Sequence, residues 1–124
     1  IQELGLGGSV KLPGFASNLP EEINKATMYI STSNHEGISN SMLEALGMGV
    51  PTIVTDCPVG GAKMFVHTGD NGILIPMNDK KQLVEAMNEI VANRNYARRI
   101  SLGAVKIRKQ LDMSEISKQW LNLI

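Results

Sequence analysis

Between Gly37 and Thr55 run 19 residues with a single ionisable side chain, Glu44. A stretch this long and this poor in charge belongs inside a fold, wrapped by the rest of the chain. It also carries its own punctuation. Ser39 or Asn40 can cap a helix expected over Ser39 to Gly47, Gly49 ends it, and Pro51 forbids its continuation. Thr52 to Thr55 then reads as a strand, apolar at its centre as buried parallel strands are. A helix running straight into such a strand is one unit of an α/β fold.

The remainder repeats the alternation. Strands are predicted at Val10–Pro13, Thr27–Ser31 and Ile73–Ile75, besides 52–55. Leu19-Pro20-Glu21-Glu22 starts a short helix, with proline early and acids in the first turn. Gly60-Gly61 leads into a helical turn from Ala62 to Val66, and Gly69 to Gly72 forms a turn. Asp79 to Gln82 reads as a capping box for a helix whose inner face is Leu83, Met87, Ile90 and Val91. After a break near Asn93–Asn95, a helix to about Gln110 carries Ile100, Ala104, Ile107 and Leu111. Ser114 is expected to cap a last helix with Ile116, Trp120, Leu121 and Ile124 inward, so residues from Asp79 onward form a helical scaffold.

The chain is one domain, α/β, with helices on both sides of a mainly parallel sheet. Its first residues, IQELGLGG, read as the end of a helix entering a turn, without an initiator Met. The chain is therefore taken as a fragment. Lys plus Arg and Asp plus Glu both total 12, and over the whole chain that balance argues against a dedicated nucleic-acid or anionic-membrane binder. The lone Cys57 cannot form an internal disulfide and suits a reducing compartment. No G-x-G-x-x-G, P-loop, HExxH or paired cysteine occurs, so dinucleotide, NTPase and metal readings lack support.

The chemistry concentrates at residues 34–61. Glu44 is surrounded in sequence by Met42, Leu43, Ala45, Leu46 and Met48, so it is expected to be largely buried and to need hydrogen-bond donors. Vicinal ribose hydroxyls would match its two oxygens; a capped neighbouring loop is the structural alternative. Glu36-Gly37-Ile38-Ser39-Asn40-Ser41 passes from a strand end into a helix N-terminus, whose free N–H groups and positive dipole end suit phosphate. Ligands of open α/β sheets bind at this carboxyl edge, where Gly60-Gly61 offers a second amide-rich turn. His35 and His67 read as loop histidines, Cys57 as a small filler near the crevice, and the Arg94, Arg98, Arg99, Lys106, Arg108 and Lys109 cluster as a solvated helix face.

The segment Glu36 to Glu44, EGISNSMLE, is similar to the E-x7-E motif of family 4 retaining glycosyltransferases of the GT-B fold. ALGMGVPTIVTD, NGILIPMND and KLPGFASNLPEEINKA resemble that family's flanking blocks in the same order. The resemblance implies a Rossmann-like α/β/α C-terminal domain that binds a nucleotide sugar, UDP- or GDP-linked. It implies that Glu44 binds the ribose, Glu36 is the catalytic residue near the donor sugar and helps orient its hydroxyls, Gly37 to Ser39 contact the sugar, and Asn40 and Ser41 face the diphosphate. Gly60 and Gly61 complete the site, with neither metal nor cofactor. A sugar or lipid-linked acceptor would come through a missing N-terminal domain, in the cytoplasm or at the inner membrane surface, in polysaccharide synthesis. Two departures stand out: Met64 occupies the place of the family's acidic residue, with Lys63 beside it, and the family's basic pair is not in this chain.

The resemblance further implies a parent strand order of 3-2-1-4-5-6, of which this chain supplies strands 3 to 6. Strand 10–13 would then lack its neighbour and shift onto the next strand, pair between chains, or leave the fragment marginally stable. The isolated chain is expected to be inactive. A nucleotide-sugar epimerase of the same fold and a non-catalytic scaffold are the alternatives.

Overall fold

A computed structural model describes residues 1–123. Three strands, β1 (Tyr29–Ser31), β2 (Thr52–Asp56) and β3 (Ile73–Pro76), form a parallel sheet in the order β1-β2-β3. The register pairs Ile30 with Ile53 and Thr55 with Ile75. Parallel neighbours require crossovers, and helices supply them: α2 (Asn40–Met48) between β1 and β2, α3 (Gly61–Phe65) between β2 and β3. Helix α1 (Leu19–Lys25) precedes β1, and α4 (Lys80–Ala92), α5 (Arg94–Ala104), α6 (Ile107–Gln110) and α7 (Met113–Leu121) follow β3.

Strand alternation divides the core in two. Val54 faces Met42, Leu46, Val66, Ala104 and Ile107, which is the side of α2 and α3. Ile53, Ile73 and Ile75 face Ala86, Ile90 and Ile100, on the side of α4. Helix α5 thus reaches both cores, through Ile100 on one face and Ala104 on the other. The result is helix, sheet, helix. Ile23 of α1 adds a small cluster with Ala45 and Val50.

The helix ends follow their capping residues. Ser39 Oγ accepts from the Met42 amide, and Gly49, at φ 75°, closes α2 in the left-handed region that glycine enters without strain. Asp79 accepts from the Gln82 amide at 2.9 Å while the Gln82 side chain reaches back to its other oxygen.

Several expectations fail at the periphery. Residues 10–13 form no strand: Val10 is exposed and Leu12 is 81% exposed. Pro13 brings no N–H to a ladder, so the segment is too short of donors to hold β1's open edge. The first eight residues form turns, without a helix. Val91 faces water and Ala86 takes its inner place on α4, because the buried face there follows residues 86 and 90. The helix expected up to Gln110 breaks at Val105–Lys106 into α5 and α6, and Leu111 is exposed. Asp112, in place of Ser114, caps α7, whose Trp120 and Leu121 are exposed. Ile124 lies outside the described residues.

Candidate donor-binding edge

All three strands end on one side, and two of the loops that leave them are tied together there. The Glu36 amide donates to the Pro58 carbonyl at 2.9 Å, and the Val59 amide returns a bond to the Glu36 carbonyl at 3.3 Å. Thr55, at the end of β2, donates through Oγ1 to the Ser33 carbonyl at 2.6 Å. Gly61 lies against the same loop: a Cβ there would sit 2.1 Å from the Gly37 carbonyl oxygen. Only glycine permits that approach, so Gly60-Gly61 and Glu36-Gly37 make one joined rim.

Glu36 is half-buried in this rim. Ser31 Oγ donates to its Oε2 at 3.5 Å, and the Ser31 hydroxyl also lies 3.3 Å from the Ser33 hydroxyl. Ser31, Glu36, Gly37, Ser39, Thr55 and Cys57 enclose a space of only about 10 Å³, room for one water at most. Nothing larger than a water fits inside it. Gly37, Ile38 and Asn40 beside it are exposed. Ser41 is turned inward, its hydroxyl 2.8 Å from the Tyr29 hydroxyl and 3.1 Å from Ser39 Oγ. Its side chain serves the fold, and the first-turn amides of α2 remain as the groups that could meet an anion.

Glu44 departs from the expected burial. It is exposed, and it makes no hydrogen bond to any described residue. The reason is geometric: Met42, Ala45 and Leu46 turn to the sheet, which leaves Asn40 and Glu44, four residues apart, together on the outer face of α2. The apolar neighbours in sequence are partly buried neighbours around the helix, and none of them covers the carboxylate.

His35 and His67 are both exposed, and Cys57 is buried at the rim. Lys63 pairs with Asp56 at 3.6 Å across the end of β2, and Met64 is exposed. A second cavity, of about 270 Å³, opens at the same carboxyl edge toward β3, lined by Thr32, Asn34, Thr55, Asn78, Asp79 and Lys80 among others. Sequence reasoning missed it. Its signal was the Asp79 cap immediately after β3, which brings the start of α4 to this edge.

Known proteins resemble this chain in sequence and fold. The chain is 33% identical to an exopolysaccharide phosphotransferase of Streptomyces coelicolor across 99% of its own length and 13% of that protein. It is 29% identical to a poly(glycerol-phosphate) alpha-glucosyltransferase of Bacillus subtilis, across 97% of the chain and 18% of the relative. Among solved structures, Anabaena HepE in complex with UDP superposes with a TM-score of 0.91 at 26% identity, covering 99% of this chain and 34% of that one. The chain thus spans 13 to 34% of the length of these proteins. The domain profile described as "Glycosyl transferases group 1" matches residues 1–106. With a Rossmann-like α/β fold of the GT-B kind and a profile match over most of its length, the chain belongs to the group 1 glycosyltransferases.

Proposed function

We propose that this chain is the donor-binding half of a retaining, family 4 hexosyltransferase, holding a UDP- or GDP-sugar across the outer face of α2. One observation carries the reading: Gly37, Ile38, Asn40 and Glu44 are all exposed, following one another from the joined rim into the first half of α2. Ser39 and Glu44 are about 7 Å apart along the axis at 1.5 Å per residue. That separation suits a diphosphate at the helix start and a ribose one turn further on. Glu44 has both oxygens free for the ribose hydroxyls, which its exposure favours over a buried structural role. The amides of the first turn and the dipole of α2 offset the charge that grows on the leaving diphosphate. Glu36, half-buried beside Ser31, is the catalytic residue, accepting hydroxyl hydrogen bonds from the hexose at the mouth of the rim. The Gly60-Gly61 turn supplies further amides beside it.

HepE was solved with UDP and with UDP-glucose, which supports a uridine donor for the relative. The acceptor, a sugar or a lipid-linked sugar, would be held by a second domain of the full polypeptide, and the 124 residues alone would turn nothing over. The test is ligand-observed NMR with UDP, GDP and uridine on the protein and its Glu44→Gln variant. Nucleotide binding that disappears in the variant is expected. A variant that binds as well as the parent, or a full-length polypeptide that binds no nucleotide, overturns the reading. Retention is tested separately: an inverted anomeric configuration in the product excludes it.

A further inference from the structure

The zero net charge conceals a segregation. Six of the 12 Lys and Arg lie between residues 94 and 109, and no Asp or Glu occurs between Ile90 and Leu111. Helices α5 and α6, with Lys106 between them, leave all six exposed, while Ile100, Ala104 and Ile107 are buried. Arg98, Arg99, Leu102 and Lys106 surround an open depression of about 390 Å³, with Asp70 as its one carboxylate. A second depression, about 490 Å³, shares Lys106 and adds Lys109, Gln110, Glu115 and Gln119.

The fold itself makes little use of this charge. Arg108 donates to the Gly47 carbonyl, and Arg99 lies over the Tyr96 ring at 5.1 Å. No ion pair among the described residues involves Arg94, Arg98, Arg99, Lys106 or Lys109. Like charges held side by side repel, so the face gains from an anionic counter-surface. Apolar side chains decide which kind. Leu102 stands among the cations 58% exposed, and α7, packed on α6, leaves Trp120 and Leu121 to solvent, with Leu123 exposed just beyond it. Cations around an exposed leucine, beside a helix with a leucine and a tryptophan in solvent, suit the headgroup layer of a bilayer, where the charges meet phosphates and the apolar groups sink toward the acyl boundary. A nucleic acid would instead call for a platform of several stacking rings, and here there are Tyr96, under Arg99, and the single Trp120 of α7.

We infer that the α5–α6 face seats this protein on a bilayer rich in anionic phospholipid. The placement is compatible with the donor edge. Ser101 Oγ bonds the Gly49 carbonyl at 2.6 Å, which fixes α5 to the C-terminal end of α2. The Ser39 end lies about 13 Å away along that nine-residue helix. Docking through α5 thus leaves the rim at the other end of α2.

The test is flotation with vesicles of equal parts phosphatidylglycerol and phosphatidylcholine, against pure phosphatidylcholine, at low and high salt. The protein floats with the anionic vesicles at low salt only. Neutralising three cations in Arg98→Gln/Arg99→Gln/Lys106→Gln weakens partitioning on the order of a hundredfold, roughly fivefold per cation. The same loss of charge elsewhere, Lys11→Gln/Lys25→Gln/Lys81→Gln, weakens it far less. Circular dichroism confirms that both variants are folded; if the first is not, Lys106→Glu/Lys109→Glu replaces it with the same expectation. Equal loss in both triple variants, equal flotation with pure phosphatidylcholine, no flotation at all, or binding to heparin or RNA without flotation overturns the inference.

Discussion

Helices α2 and α7 are each nine residues long, and each begins with a side chain capping its first turn. They have opposite fates. Helix α2 buries Met42, Ala45 and Leu46, the last two completely, whereas α7 buries no residue and leaves Trp120 67% exposed. Both sequences are rich in apolar residues at helical spacing. A cap decides where a helix starts, but only neighbouring elements decide what it buries, and α2 has β1, β2, α1, α5 and α6 around it.

The contrast can be broken by substitution. Leu46→Ala in α2 should cost about 2–5 kcal/mol, read by chemical denaturation, whereas Leu121→Ala in α7 should stay within about 0.5 kcal/mol. Similar costs would mean that α7 is covered in solution. Gly61→Ala should cost about 1–3 kcal/mol, because its methyl group meets the Gly37 carbonyl and the rim must open; nucleotide binding should fall with it. Removing the α2 cap by Ser39→Ala should cost about 1 kcal/mol. The smallest effect is expected from Asp112→Ala, visible as faster amide exchange confined to residues 113–121. The Ser114 hydroxyl and amide hold the Asp112 carboxyl below the usual aspartate range. Its folded pKa is depressed, so the cap's contribution is present above the ordinary aspartate pKa and lost as pH falls through the lower folded value. Relative to the intrinsic exchange rate, protection of the α7 amides should fall on acidification through that window.

The sequence spoke clearly where local chemistry decides the outcome. Ser39 and Gly49 bracket α2, Asp79 and Gln82 open α4, and the apolar run at 52–55 became the central strand β2. Gly60-Gly61 and Glu36 were recognisable as parts of one edge, although the close approach of Gly61 to Gly37 depends on how two loops meet. Glu44 was misread for a physical reason. Its neighbours in sequence are apolar, but exposure depends on its angle around the helix, and only the sheet's position shows which angle faces out. Val10–Pro13 carries strand-like residues, yet a strand exists only when its ladder is filled. Val91, Leu111 and Trp120 likewise fit an inner stripe that no neighbour covers.

Helix α5 touches both cores, with Ile100 on one side of the sheet and Ala104 on the other. A three-stranded sheet with a small core on each face could come apart in stages, one layer melting while the other persists. A single helix clasping both faces couples them, so that losing its packing on one side loosens the other. The domain should then unfold in one transition, and a protein ending at Asn93 would forfeit both layers at once rather than survive as a smaller fold.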